Sequence, residues 1–84
     1  MDCQPAMTHI MRALALAHAA LDEAPGLHVL EVRRHALAVL SGAKAAQPDT
    51  LADARELLTL VDQLRGLVGL LETKLLKAPA AFHS

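Results

Sequence analysis

Aromatic and β-branched residues are scarce in this sequence. Its 84 residues include no tryptophan, no tyrosine and one phenylalanine, Phe82, while the β-branched aliphatic residues are five valines and one isoleucine. Residues that favour strands are therefore too few to build a sheet. Alanine and leucine, which favour helices most strongly, supply most of the hydrophobic 54% of the chain. The composition predicts an all-α fold.

Cysteine is limited to one residue, Cys3. A single cysteine excludes a disulfide within the chain and fits a reducing compartment. We expect its thiol to lie on a frayed N-terminus, with no cationic neighbour in sequence that would lower its pKa.

Neither sign of charge is in excess, because eight lysines and arginines stand against nine aspartates and glutamates. Nucleic-acid binding requires a basic face that displaces counterions from phosphates, so we expect no nucleic-acid partner. Membrane-surface binding is disfavoured by the same lack of a basic face. Charged residues also interrupt every long apolar run, so we expect no bilayer-spanning helix. The sequence thus predicts a soluble, cytoplasmic protein.

Prolines divide the chain into three helical segments. The pair Pro25-Gly26 is typical of a helix end, Pro48 stops the second segment, and Pro79 stops the third. Short connections favour antiparallel packing of neighbouring helices. We therefore expect residues 1–84 to form a single domain, a small three-helix antiparallel bundle that is oligomeric. Its predicted helices cover residues 5–24, 27–46 and 50–77, followed by a tail at 78–84.

The third segment is the longest and the most regularly patterned. Its apolar residues recur at alternating spacings of three and four, which is one stripe of an α-helix. Thr50 and Asp53 approximate a capping box at its start, and Lys74 and Lys77 suit the negative pole at its end. The stripe consists of Ala54, Leu57, Val61, Leu64, Val68, Leu71 and Leu75.

The length of this third helix suggests how the protein makes contact. A helix of roughly 28 residues is about 42 Å long, whereas helices of about 19 residues reach only about 29 Å. We expect the C-terminal excess, which includes Val68, Leu71, Leu75 and Leu76, to extend past the other helices and to be covered by a second chain. The alternative is a closed monomer in which the first helix runs back along this end.

Two glycines, Gly66 and Gly69, lie inside the predicted third helix, where each costs close to 1 kcal/mol relative to alanine. They are three residues apart and share a face. A smooth patch that another helix approaches closely would explain them. A bend in the helix, or tolerance of a surface cost, would explain them equally well.

Chemical motifs are few. His28, Glu31 and His35 stand at spacings that place them on one helical face, but their order matches neither the zincin nor the di-iron bundle motif. Ser41 and Thr59 lack the setting of an activated nucleophile, and no glycine-rich phosphate loop is present. We therefore predict no catalytic residue, no cofactor and no metal. The best enzymatic alternative is a small helical mutase that clamps an anion with Arg12, Arg33, Arg34, Arg55 and Arg65.

A small core also favours contact with another chain, because a domain of this size gains only about 3–5 kcal/mol from its own packing. We predict a non-enzymatic helical interaction module, such as an adaptor, co-chaperone or regulatory inhibitor, whose partner is another protein chain. A self-assembling structural or scaffolding subunit is the alternative. Flanking charges on Arg65, Glu72 and Lys74 would set the register. The predicted interface consists of Leu64, Gly66, Leu67, Val68, Gly69, Leu71, Leu75 and Leu76.

Overall fold

The protein is described by a computed structural model, which covers residues 3–23 and 25–77. Within these residues the chain forms three helices and no strand, so the predicted all-α fold is confirmed. None of the described helices is both long and apolar enough to cross a lipid bilayer. The predicted tail, with Phe82, lies outside the described residues. The helices are α1 (Gln4–Asp22), α2 (Gly26–Ala43) and α3 (Leu51–Lys77).

Proline and threonine set the helix starts. Pro5 lies in the first turn of α1, where its missing N–H leaves no hydrogen bond unmade. Pro25 precedes α2 in an extended conformation. At the start of α3, the Asp53 N–H donates to Thr50 Oγ1 at 3.0 Å, which satisfies one of the unpaired donors of the first turn.

The second helix ends earlier than predicted. It stops at Ala43, and the N–H groups of Lys44, Ala45 and Ala46 donate to carbonyls three residues earlier. Such bonds tighten a helix end into a 3₁₀-type turn. The apolar spacing that continues to Ala46 therefore marks packing rather than α-helix, since Ala46 lies against the core.

Two apolar clusters form the core, and each draws residues from all three helices. The first lies toward the starts of α1 and α3 and the end of α2. It contains Cys3, Met7, Ile10, Ala13, Ala36, Ala43, Leu57, Leu64 and Val68. The second cluster lies at the other end of the molecule and contains Ala17, Ala20, Val29, Val32, Leu67 and Leu71.

Polar contacts at the second cluster tie the helices together. Lys74 Nζ donates to the carbonyl oxygens of Ala20 at 2.7 Å and Leu21 at 2.9 Å. These are among the last carbonyls of α1, which have no partner within their own helix. Arg33 of α2 forms a salt bridge with Glu72 of α3 at 2.6 Å. The ends of α1 and α3 therefore lie together, and the first half of α2 lies beside them, with Val29 and Val32 in the same cluster.

The predicted C-terminal overhang is wrong for Val68 and Leu71. Leu71 is fully buried and Val68 is buried as well, because α1 and α2 pack over this end of α3. This arrangement matches the alternative given above, in which the first helix runs back along this end of α3. Instead, the excess length of α3 lies at its N-terminal end: Cys3, just before α1, shares a cluster with Leu57, so residues 51–56 precede the level at which α1 begins. The contacts of Lys74 set this register, and the excess length of α3 falls at the opposite end.

Cys3 does not lie on a frayed terminus as predicted. Its side chain is 1% exposed and belongs to the first core cluster. Its carbonyl accepts the Met7 N–H at 3.0 Å, which extends the hydrogen bonding of α1 back to this residue. That bond holds the thiol over the core, where cysteine packs as a small apolar side chain.

Replacing Lys74 by methionine tests the tie between α3 and α1. Lys74→Met preserves much of the side-chain length but removes two hydrogen bonds to carbonyls and a favourable charge, so we expect a loss of about 1–2 kcal/mol in the free energy of unfolding. Urea unfolding followed by far-UV circular dichroism measures it. Lys77→Met, at an exposed position of the same turn, is the control and should change stability by less than about 0.5 kcal/mol. Equal effects of the two variants would contradict the tie.

Truncating Leu71 tests the closed bundle. Because Leu71 is fully buried, Leu71→Ala should lower the free energy of unfolding by about 2–5 kcal/mol. Leu76→Ala, in the same helix but 87% exposed, should cost less than about 0.5 kcal/mol. Both are measured on the isolated chain by urea unfolding. A small effect at Leu71 would restore the predicted overhang.

Candidate functional site

The predicted interface separates into buried and exposed residues. Leu64, Leu67, Val68 and Leu71 are buried in the core of their own chain, so the expectation that they face a partner is wrong for these four. Their spacing marks a buried face, and α1 and α2 cover it. Leu75 is half-buried against the second cluster. The remaining members, Gly66, Gly69 and Leu76, are exposed, and their contact with a partner stays a prediction.

A second stripe runs along α3 on the side that points away from the core. Its residues follow alternating spacings of four and three, so they lie on one face of the helix. Every one of them is exposed. We call this set the outer stripe, and it consists of Leu51, Arg55, Leu58, Asp62, Arg65, Gly69, Glu72 and Leu76.

Three large apolar side chains lie in the outer stripe. Leu51 is 68% exposed, Leu58 is 63% exposed and Leu76 is 87% exposed. Single exposed leucines are ordinary on protein surfaces, but these three share one helical face from the first turn of α3 to its last. Sequence reasoning missed Leu51 and Leu58, because it assigned the uncovered part of α3 to the wrong end. Their seven-residue separation was the available signal.

The charges of the outer stripe are mostly unpaired within the chain. Arg33–Glu72 is the one salt bridge in the described part of the chain, so Arg55, Asp62 and Arg65 have no ion-pair partner among residues 3–23 and 25–77. Both signs are present, with two arginines and two carboxylates along the stripe. Solvent screens such charges, and each remains available to a second molecule.

The two glycines of α3 are not required by contacts inside the chain. A Cβ atom added at Gly66 or at Gly69 would meet no side chain, and no backbone outside its own helical turns, within 4 Å. Close packing inside the bundle therefore does not explain their cost of nearly 1 kcal/mol each. Gly69 belongs to the outer stripe, whereas Gly66 lines a groove between α1 and α3.

Two larger grooves lie between α1 and its neighbouring helices. A groove of about 520 Å³ between α1 and α2 is lined mainly by alanines, together with His9 and His35. Its size is typical of ligand sites, but only the two imidazoles supply polar groups to orient a ligand. A groove of about 640 Å³ between α1 and α3 contains Leu14, His18 and Leu70. Neither groove holds a charged carboxylate or a nucleophile among its lining residues.

Histidines and arginines were the residues weighed for metal or anion chemistry. No group of three or more histidines, cysteines or carboxylates within residues 3–23 and 25–77 could hold a metal ion, so His28, Glu31 and His35 do not act together. Arg33 is engaged by Glu72. Arg65 borders a groove between α2 and α3 beside Lys44.

Scans against models of protein families, curated proteins and solved structures find no match to this chain. Its function is therefore inferred from the packing and the exposed surface of the chain itself.

Proposed function

We propose that this chain is a non-enzymatic helical interaction module that binds another protein chain through the outer stripe of α3. The observation that carries the proposal is the continuous exposure of Leu51, Leu58 and Leu76 along one face of the longest helix. α1 and α2 cover the opposite face of α3 and leave this one to solvent.

The binding mode is helix-on-helix packing. Each exposed leucine that becomes buried contributes about 1.5–3 kcal/mol of favourable transfer free energy. The arginines and carboxylates between the leucines set the register of the partner, as charged positions do in coiled coils. The bundle behind them acts as a rigid support for α3.

The bundle we propose has sequence neighbours antiparallel, with α1 and α3 pointing the same way. Two contacts support this arrangement. The end of α1 lies at the end of α3, where Lys74 binds the carbonyls of Ala20 and Leu21. The first half of α2 lies at the same place, because Val29 and Val32 pack in one cluster with Ala20 and Leu71.

An adaptor, co-chaperone or regulatory inhibitor in the cytoplasm fits this binding mode. A self-assembling structural or scaffolding subunit is the second candidate. The mixture of charge signs along the outer stripe favours it, because a surface that carries both signs is able to complement itself. A groove-binding function is less well supported, since the α1–α2 groove offers only His9 and His35 as polar contacts.

Photo-cross-linking at two exposed leucines tests the proposal. A photoreactive amino acid replaces Leu58 in the outer stripe or, as the matched control, Leu27 of α2, which is 70% exposed. In the native cell we expect a discrete cross-linked protein adduct from position 58 and not from position 27, because only the outer stripe docks. Denaturing gel electrophoresis and mass spectrometry detect the adduct. The same adduct from both positions, or none from either, would contradict the proposal.

Alanine substitution separates the two interpretations of the glycines. Gly66→Ala and Gly69→Ala should each raise the free energy of unfolding by up to about 1 kcal/mol, since a Cβ atom meets nothing in the chain at either site. If a partner approaches the stripe closely, Gly69→Ala should also reduce the adduct yield at position 58, while Gly66→Ala should leave it unchanged. An unchanged yield for Gly69→Ala would show that the glycine is a tolerated surface cost.

A further inference from the structure

The order of residues along the outer stripe has a specific pattern. From the N-terminus of α3 it reads Leu, Arg, Leu, Asp, Arg, Gly, Glu, Leu. When the stripe is aligned with its own reversed order, every charged residue meets a residue of opposite charge, and every leucine meets a leucine or a glycine. A helix surface with this property complements a copy of itself that runs in the opposite direction.

We propose that the outer stripe binds the outer stripe of a second copy of this chain in antiparallel orientation and forms a two-fold symmetric dimer. This dimer rests on the proposed function, and the partner on the outer stripe is then a second copy of the same chain. The two-fold axis passes between Asp62 and Arg65, at the centre of the stripe. The dimer buries α3 against α3 and leaves the α1–α2 groove of each copy open.

Two charge pairs on each side of the axis support this register. Asp62 faces Arg65 of the second copy, and Arg55 faces Glu72 of the second copy. Because the interface is isologous, each pair occurs twice, and all eight charges of the two stripes are matched. Opposite charges across an interface select orientation and partner more than they add affinity.

Glu72 is able to accept this second arginine. Arg33 of its own chain donates through Nε at 2.9 Å and through Nη2 at 2.6 Å, and both bonds go to Oε2. The other carboxylate oxygen, Oε1, is left for Arg55 of the second copy. A carboxylate has enough lone pairs to accept from two guanidinium groups.

The apolar positions match by size. At the two ends of the interface Leu51 packs on Leu76 of the second copy, so the exposed first and last turns of α3 cover each other. Between the charge pairs Leu58 faces Gly69 of the second copy. Apart from its chain neighbours and the backbone of its own helix turns, no atom lies within 4 Å of the place where a Gly69 Cβ atom would stand. That space receives the leucine as a knob enters a hole, which accounts for a glycine inside a long helix.

Three other registers of the same two stripes place like charges together. Sliding the second helix by seven residues in one direction brings Arg55 against Arg65, and sliding it in the other direction brings Asp62 against Glu72. A parallel pair in register sets each charge against its own copy. Since like charges at an interface are strongly unfavourable, the charge order disfavours these three registers, whereas the full-length antiparallel register pairs every charge of the stripe with an opposite one.

Charge reversals provide the test. Asp62→Arg gives a stripe with arginine at both central positions, and Arg65→Asp gives one with aspartate at both. Each variant alone should dimerise at least about tenfold more weakly, because both central pairs become repulsive. An equimolar mixture should form a heterodimer with affinity near that of the unaltered chain, since every central pair is then opposite in charge. The double variant, which carries both exchanges, should also dimerise.

The control variants Glu31→Arg and Arg34→Asp make the same changes in net charge at exposed sites of α2. They should dimerise like the unaltered chain. Mass is measured by light scattering and sedimentation equilibrium from about 1 μM to about 1 mM, with refractive-index detection because the chain lacks tryptophan and tyrosine. Far-UV circular dichroism verifies that each variant is helical. The unaltered chain should reach twice its 8.9 kDa mass.

Any of four results would overturn the proposed dimer. The unaltered chain could stay monomeric at every concentration, or it could form a trimer or larger species. The equimolar mixture of Asp62→Arg and Arg65→Asp could stay monomeric, or the control variants could weaken the dimer as much as Asp62→Arg does. These failures are distinct from failure of the interaction module. A monomer that still gives an adduct with a different protein at position 58 rejects the dimer and retains the module. A monomer with no adduct at position 58 rejects both.

Discussion

The register of α1 against α3 decides which parts of the long helix are buried. Lys74 donates to the carbonyls of Ala20 and Leu21 at the end of α1, and with this contact made, the buried leucines of α3 meet the small alanines of α1. α3 is eight residues longer than α1 (27 against 19). The excess therefore appears at its N-terminal end, where Leu51 is exposed.

Small side chains in α1 make this closure possible. Ala13, Ala17 and Ala20 are fully buried, and alanine lets neighbouring helices approach closely while the larger leucines and valines of α2 and α3 fill the space. The result is a core divided into two clusters, each shared by the three helices. Because α1 and α2 together cover one side of α3, its opposite side has no partner within the described residues apart from Arg33, which pairs with Glu72. The function proposed for the chain follows from that asymmetry.

The uncovered side of α3 carries two kinds of local cost. Exposed leucines forgo burial, and Gly69 lowers helix stability without relieving any contact. Features that lower the stability of an isolated chain are expected where a second molecule completes the structure. In the proposed interface, the alternation of arginine and carboxylate along the same side sets the direction of the second molecule.

Much of the fold could be predicted from local sequence. The three-four spacing of Leu64, Val68 and Leu71 identified an apolar helical face. The positions of Pro5, Thr50 and Pro48 located helix starts and the break before α3 to within a few residues. Cys3 was misplaced because a residue before the first helix gives no local sign of burial. The interface assigned to Leu64, Leu67, Val68 and Leu71 failed because spacing shows that a face is apolar without showing what covers it.

The sequence by itself determined the helices, their apolar faces and the order of charges along α3, since these depend on residues within a few turns of one another. Only the tertiary structure decided that α1 covers the C-terminal half of α3, that the excess length lies at Leu51, and that Gly69 has open space beside it. Those outcomes depend on contacts between residues more than fifty positions apart, such as Lys74 with Ala20. The physical reason is that helix register is set by the sum of such distant contacts, and no local periodicity contains it.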